Sequence, residues 1–520
     1  MRLRAPLLLL AGLCSAGTAS AQPIVTSPAP DRVEVTVYRD PNRGERAMNL
    51  RWLNGFALIS ERRRVTLAPG ESVVRFEGVA GGIVPQSAIV TGFPDGVVER
   101  NRDAYLLSPG TLLDRSLGSR VTLRRTNLAT GAVREQEAVV RSGAQGAIVV
   151  ETDGGIESLR CSGLREALVY DGVPAGLSAK PTLSVVTRTS QPVVAEVTLS
   201  YLASGFDWQA DYIAELSDDG TSMKLFAWLT LASTDETSFP NADTQAVAGQ
   251  LNYTRAQVPP AEGGPLQLRC WPSATTSDLP LEEFERMAAA SVAPPLMMVS
   301  PASPPGEQIV VTGSRIGRAA QVAVQEDLGD LKLYRIPEPV TVAANAQKQV
   351  ALLVRDDVPV RTVYRIRTNA NFGGEFAQAQ RVLVTRNRPQ ERLGVPLPAG
   401  PIAAFVSRAG APFLIGQGNV GDYAVGEDVE IEIGASPGVR VRQEQLASNP
   451  AQGWSDHQIV VTSDQAGPID FELEISLPPS TRIERANLPE RDGMRLWAAR
   501  VPANGTMTLR YRLRSLGPRR

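Results

Sequence analysis

Apolar and polar residues alternate with a period of two along most of this chain. Val33-Glu34-Val35-Thr36-Val37 places an apolar residue at every second position, as do Val121-Thr122-Leu123, Phe471-Glu472-Leu473-Glu474-Ile475 and residues 427–433. That is the pattern of a half-buried antiparallel strand, with apolar side chains turned inward and polar ones outward. Turn chemistry separates the runs: Ala68-Pro69-Gly70-Glu71, Thr152-Asp153-Gly154-Gly155, Asp218-Asp219-Gly220 and Ala503-Asn504-Gly505. Asp-Gly and Asn-Gly steps between alternating runs predict hairpins. The expected fold class is therefore all-β, with an antiparallel β-sandwich as the main domain.

The runs divide the chain. Residues 22–105 read as an N-terminal β domain, in which two runs, 64–67 and 72–76, are joined through Pro69-Gly70. Residues 106–165 read as a small SH3-like barrel with short strands near 120–124, 137–141, 147–152 and 156–159. The sandwich occupies 180–257 and 326–520. Between its two parts, residues 258–325 accumulate proline and alanine, including Pro259-Pro260, Pro294-Pro295, Pro301 and Pro304-Pro305, which predicts a flexible insertion. Within it, Asp278, Pro280, Glu282 and Glu283 favour the start of a short helix with Leu281, Phe284 and Met287 on one side.

The first 21 residues carry a different signal. Arg2 and Arg4 precede an apolar stretch at 7–13, and Ala19-Ser20-Ala21 supplies small residues before Gln22. This predicts a secretory signal peptide cleaved near Ala21. Leu13 before Cys14 argues against lipid attachment, which needs a small residue there. The expected location is periplasmic or outer-membrane-associated. No later apolar run reaches the ~18 residues of a membrane helix. A net charge of −2 gives no reason to expect a nucleic-acid partner. The only lysines are Lys180, Lys224, Lys332 and Lys348, so arginine carries nearly all the positive charge, a bias that high-GC codon usage explains more cheaply than anion binding does.

Two cysteines follow the signal, Cys161 and Cys270. In an oxidising compartment they suit a disulfide, worth about 4–5 kcal/mol for so long a loop; two separately buried thiols are the other reading. The single histidine, His457, stands in Trp454-Ser455-Asp456-His457 and reads as a turn residue rather than a catalytic base. No metal site and no cofactor are expected.

From Tyr201 the sequence becomes more specific. Tyr201-Leu202-Ala203-Ser204-Gly205-Phe206-Asp207-Trp208-Gln209-Ala210-Asp211-Tyr212 is followed by residues 223–231 and by Asn241-Ala242-Asp243-Thr244-Gln245-Ala246-Val247-Ala248-Gly249. This resembles the domain of unknown function 4139 family, which includes mucoidy-inhibitor-like proteins. Residues 33–38, 64–78 and 86–92 are similar to the N-terminal domain that accompanies it, and 469–477, 497–501 and 506–513 to its end. The chain departs from the family's pattern at Asp235-Glu236-Thr237-Ser238-Phe239, in place of a Gly-Glu-Asp-Trp-type turn, and in lacking a coiled coil between the two domains. The resemblance implies fold and export, and brings no catalytic residues.

Three features are candidates for chemistry. Asp207, Trp208 and Tyr212, with Asp211 and Trp228 nearby, suit sugar binding, since rings stack on sugar faces and carboxylates accept hydroxyls; Trp208 and Tyr212, four residues apart, equally suit one core-facing side of a strand. The pairs Asp207/Asp211 and Asp235/Glu236 suit glycoside hydrolysis if held ~5–9 Å apart. Within the insertion, Gly306-Glu307-Gln308-Ile309-Val310-Val311-Thr312-Gly313-Ser314-Arg315-Ile316 resembles the box by which outer-membrane receptors engage TonB, and Glu307, Ile309, Val310, Val311 and Thr312 would add a strand to a partner's sheet edge. An edge strand within its own sandwich is the alternative. The function expected is that of an exported, non-catalytic envelope protein acting on a protein or polysaccharide partner, with a carboxylate-pair hydrolase and a TonB-linked adaptor as alternatives.

Overall fold

The computed structural model describes residues 23–103, 109–127, 130–142, 148–159, 165–174, 177–249, 251, 322–369 and 376–516. The signal-like start, Cys161 and Cys270, the helix expected near 278–287 and the TonB-box-like residues Glu307, Ile309, Val310, Val311 and Thr312 all lie outside the described residues.

The alternating runs become strands, and the protein is all-β with sandwich character. Residues 33–37 fall in strand Arg32–Tyr38, with Val33, Val35 and Val37 all buried. The strands do not keep to the expected division, however. Phe56–Leu67 pairs along its whole length with Val193–Ser204, from Phe56 opposite Ser204 to Leu67 opposite Val193. Gly70–Glu77 pairs with Thr182–Thr189. One hydrophobic core therefore runs from Val33 to Ile433, and the described part of the expected first domain, residues 23–103, belongs to the sandwich rather than to a domain ahead of it.

Two of the four expected turns close paired hairpins. Thr152 lies opposite Gly155, and Leu216 opposite Met223 across Asp218-Asp219-Gly220. At Pro69-Gly70 and Asn504-Gly505 the chain turns but changes partner instead. Phe56–Leu67 belongs to an eight-stranded sheet and Gly70–Glu77 to a four-stranded one, while Met494–Val501 and Thr506–Ser515 pair with different neighbours in a nine-stranded sheet. Turn residues fix the reversal; the side-chain faces decide which sheet receives the next strand.

Pairing is also mixed rather than antiparallel throughout. Phe206–Leu216 runs parallel to Gly400–Arg408, Phe239–Ala248 to Arg32–Tyr38, and Arg361–Asn369 to Ile469–Ser476. The expected small barrel is an open sheet: its order is Gly155–Ser158, Val149–Thr152, Val133–Val140, Arg120–Thr126, Arg165–Val169, and nothing described joins its ends. A small separate core of Leu113, Val121, Leu123, Ala138, Val140, Ile148 and Val150 lies under it. The expected insertion ends sooner than residue 325, because Val324 and Gln325 already lie in strand Val324–Leu328.

A 22-residue strand, Asp428–Asn449, connects the main core to a second one. Val429, Ile431 and Ile433 pack in the first; Val439 and Val441 pack in the second. Between them the register slips against Ala377–Arg386 and Gly434 adopts φ 108, so the strand bends while its alternation is re-aimed, as bulges do.

In strand Ile469–Ser476 of the nine-stranded sheet the expectation of a solvated polar face fails. Glu472 and Glu474 are buried, at 7% and 3% exposure. They are covered by arginines from other strands. Arg365 donates to Glu472 Oε2 at 2.8 Å and to Glu430 at 2.5 and 2.8 Å, Arg367 reaches Glu474 at 2.8 Å, and Arg491 bridges Glu472 and Glu474. Burial opposes ionisation of both carboxyls, but the hydrogen bonds from Arg491, with Arg365 on Glu472 and Arg367 on Glu474, outweigh it and hold them below their ordinary value.

Two outcomes follow from this packing. A Cβ at Gly400 would overlap the Ala210 carbonyl oxygen of the parallel neighbour, so Gly400→Ala should lower unfolding free energy in urea by about 2–3 kcal/mol, whereas Gly467→Ala, with open space around it, should change little. Because folding lowers the pKa of Glu472 and Glu474, the unfolded chain takes up protons first as pH falls below the ordinary 4.5. Their contribution is present above that pH and lost below it. Melting temperature should therefore fall more steeply between pH 5 and about pH 3 in the native chain than in a Glu472→Gln/Glu474→Gln variant.

Candidate binding face of the five-stranded sheet

The stretch richest in candidate residues folds into the five-stranded sheet, ordered Ala346–Pro359, Ser222–Ser233, Phe206–Leu216, Gly400–Arg408, Ala411–Val420. Strand Phe206–Leu216 alternates strictly. Phe206, Trp208, Ala210, Tyr212, Ala214 and Leu216 point into the main core; Asp207, Gln209, Asp211, Ile213 and Glu215 lie on the outer face. Its neighbour does the same, with Met223, Leu225, Ala227, Leu229 and Leu231 inward and Lys224, Phe226, Trp228, Thr230 and Ala232 outward.

This parity separates the sequence candidates. Trp208 is 0% exposed, its indole Nε1 donates to the Val247 carbonyl at 2.9 Å, and its ring lies 5.8 Å from that of Tyr334. Tyr212 is buried with its hydroxyl on the Pro398 carbonyl at 2.7 Å. Neither ring has a face free for a sugar, so both are corrected from ligand contacts to core residues.

Asp207 lies on the opposite face but is equally committed. Its Oδ1 accepts from the amides of Asp40 and Trp208 at 3.1 and 2.8 Å, and its Oδ2 from Arg43 at 2.7 Å. Arg43 also donates to the Trp208 carbonyl at 2.6 Å. Together they pin the 40–48 loop onto the sheet, and the Met48 amide adds a bond to Gln209 Oε1 at 2.6 Å. Burial pushes the Asp207 carboxyl up, and Arg43 opposes it. Asp207 is thus a structural ion-pair partner and not a sugar ligand.

Asp211 accepts from Gln209 Nε2 at 2.6 Å and from the Thr230 hydroxyl. Burial raises its pKa as well, against the Thr230 and Gln209 bonds. In the other carboxylate pair, Asp235 caps the amides of Gly81, Gly82 and Thr237 at 2.8–3.0 Å and is buried, while Glu236 is exposed. Neither pair offers two carboxyls turned to one open space. Among the described residues no three His, Cys, Asp or Glu side chains are placed to hold a metal, and Asp219 spends its carboxylate on Ser217 and Thr221 within the hairpin turn.

His457 is corrected from a turn to a strand. It lies in Trp454–Ser463, 7% exposed, stacked on Tyr511 at 5.5 Å between centroids. Its Nε2 is 2.8 Å from the Ser455 hydroxyl and its Nδ1 3.4 Å from the Gln443 amide. Burial lowers its pKa, with Asp456 opposing.

What the outer face does present is a set of half-buried apolar side chains beyond the loop. Phe226 and Trp228 meet edge to face, 4.7 Å between centroids. Trp228 stands opposite Asp211, Phe226 opposite Ile213, and Ile213 beside Ala403. Phe405 lies beside Glu215 and opposite Leu414, which is 55% exposed. The polar rim is Lys224, Glu215, Gln349 and Gln417, with Glu215 accepting from Ser407 at 2.6 Å and Gln349 donating to Thr230 at 3.1 Å. Phe226, Ile213, Phe405 and Leu414 were not among the sequence candidates. The signal was present: in residues 223–231 the inward parity is already filled, so Phe226 and Trp228 occupy outward positions where polar residues are the norm.

Removing the loop's cation alone strands a buried carboxylate. Arg43→Gln should cost about 3–5 kcal/mol in chemical denaturation. Adding Asp207→Asn should recover part of that loss, a coupling that separates an ion pair from mere packing. The described residues contain no helix long and apolar enough to cross a membrane. Compared with protein-family models and with curated proteins, the chain matches none.

Proposed function

We propose that this is a non-catalytic, exported envelope protein that binds a polysaccharide on the outer face of its five-stranded sheet. The observation that carries the reading is the outward Phe226–Trp228 pair, continued by Ile213, Phe405 and Leu414 and rimmed by Glu215, Gln349, Gln417 and Lys224. Apolar ring faces suit the C–H faces of pyranoses, and a small number of polar groups at the rim can fix hydroxyls. A strand pair spaced ~4.8 Å offers a long, shallow surface, which fits an extended chain better than a single sugar. The signal-like start supports export, and the resemblance to the mucoidy-inhibitor-like proteins supports an envelope setting.

The hydrolase alternative is not favoured, since Asp207 and Asp235 spend their oxygens on Arg43 and on backbone amides. The TonB-linked reading rests on residues outside those described and remains a separate proposal.

The test is affinity electrophoresis of the mature chain through gels containing neutral and acidic bacterial polysaccharides. Retardation by at least one polymer is expected, and Trp228→Ala should weaken it by roughly tenfold or more, the loss of a central aromatic anchor. Trp208→Phe, a change inside the core, should lower the melting temperature yet leave retardation of the folded fraction intact. Equal retardation of Trp228→Ala and the native chain, or no retardation by any polymer, would overturn the proposal.

A further inference from the structure

On the core side of the same sheet, away from the proposed glycan face, the sandwich opens into a cleft of about 170 Å³. It lies between edge strand Ala346–Pro359 of the five-stranded sheet and strands Val324–Leu328 and Leu331–Arg335 at the edge of the eight-stranded sheet. Its apolar wall includes Leu352, Leu353 and Leu397.

Most hydrogen-bonding groups around it are already used. Tyr212 donates to the Pro398 carbonyl at 2.7 Å. Leu397 exchanges both backbone bonds with Tyr423 at 2.9 Å. The Val395 amide donates to Asn387 and its carbonyl accepts from it, and Pro396 has no amide hydrogen.

Gln325 supplies a neutral amide to the lining, and two further groups stand apart from the rest. Tyr334 is 3% exposed, and its hydroxyl is buried with no hydrogen-bond partner among the described residues. Leaving such a group unmet is costly, and native proteins rarely do so without a reason. Arg355, also on the lining, donates to its own neighbour's Val354 carbonyl and makes no ion pair among the described residues. Buried or half-buried arginines elsewhere in the fold meet carboxylates, as Arg43, Arg63, Arg365 and Arg491 do. Each can donate a hydrogen bond, and an acceptor carrying negative charge would satisfy both.

We propose that this cleft binds a small monocarboxylate with an apolar body. A dry cavity of about 150 Å³ holds one benzene, which sets the body's size near that of benzoate or hexanoate. The body packs on Leu352, Leu353 and Leu397, and the carboxylate accepts from the Tyr334 hydroxyl and faces the Arg355 guanidinium. Burial raises the Tyr334 pKa, so the hydroxyl keeps its proton.

The experiment is isothermal titration of the mature chain with benzoate and hexanoate, and with benzyl alcohol and hexanol as uncharged counterparts. Each carboxylate should bind at least roughly tenfold more tightly than its alcohol, the scale of one hydrogen bond to a charged group. Tyr334→Phe and Arg355→Gln should each weaken benzoate by a similar factor. The ligand-free Tyr334→Phe chain should melt at the native temperature or higher, because it loses only an unmet hydroxyl. Equal affinity for acids and alcohols, no carboxylate binding at millimolar concentration, or unchanged benzoate binding in both variants would overturn the proposal. So would a ligand-free Tyr334→Phe chain that melts lower by several degrees, which would mean that a fixed water already satisfies the hydroxyl. None of these outcomes touches Trp228, so this proposal and the polysaccharide reading stand or fall separately.

Discussion

Burying charge between strands that are far apart in sequence is the constraint on which this structure depends. Glu61 and Arg63 are both fully buried; Arg63 pairs with Glu61, donates to the Ser27 and Glu77 carbonyls at 2.8 Å, and lies over the Phe76 ring, while Tyr201 donates to Glu61 at 2.6 Å. Arg43 with Asp207 fastens a loop near the start of the chain to a strand in its middle. Arg365 with Glu430 and Glu472 joins three strands of the nine-stranded sheet. Each ion loses water on folding, and such a pair is tolerable only when all of its donors and acceptors are met. Satisfying them requires several particular strands to be present at once. The ion pairs therefore act less as a source of net stability than as a condition that other strand arrangements fail.

The five-stranded sheet shows how the two sides of one strand come to differ. Its inward row, Trp208, Ala210, Tyr212 and Ala214, is covered by the eight-stranded sheet and contributes to the main core. Its outer row is covered only at one end, where the Arg43 loop lies over Asp207 and Gln209. Past that loop the aromatic pair is left half-buried, which is why the apolar surface there is available to a partner. The cleft beside Tyr334 arises from the same geometry on the other side: two sheets that pack face to face separate at an edge, and the groups lining the gap are met only in part.

Much of the secondary structure was legible in the sequence. The period-two runs became strands because alternation is a local property that any half-buried strand must have. The candidate site was legible only in part. Asp207, Trp208 and Tyr212 share a strand, as their spacing implies, but residues of opposite parity on one strand belong to opposite faces. Trp208 and Tyr212 went to the core, Asp207 went under a loop, and the half-buried outward ring belongs to Trp228. Glu472 and Glu474 show the same limit. Their alternation with Phe471, Leu473 and Ile475 is clear, yet nothing in that run tells that Arg365 and Arg491 cover them.

By itself the sequence determined that the chain is built from strands, where most of them begin and turn, and that one histidine leaves little room for imidazole chemistry. Tertiary structure alone decided which strands are neighbours, where pairing is parallel, and which of two outward-looking faces is truly outside. The reason is physical. Alternation marks two faces of a strand through side chains only a few residues apart, whereas the ladder between strands is made by backbone amides and carbonyls that are alike in every strand. Which ladder forms, and what then lies over each face, is settled by packing and charge contributed from distant parts of the chain.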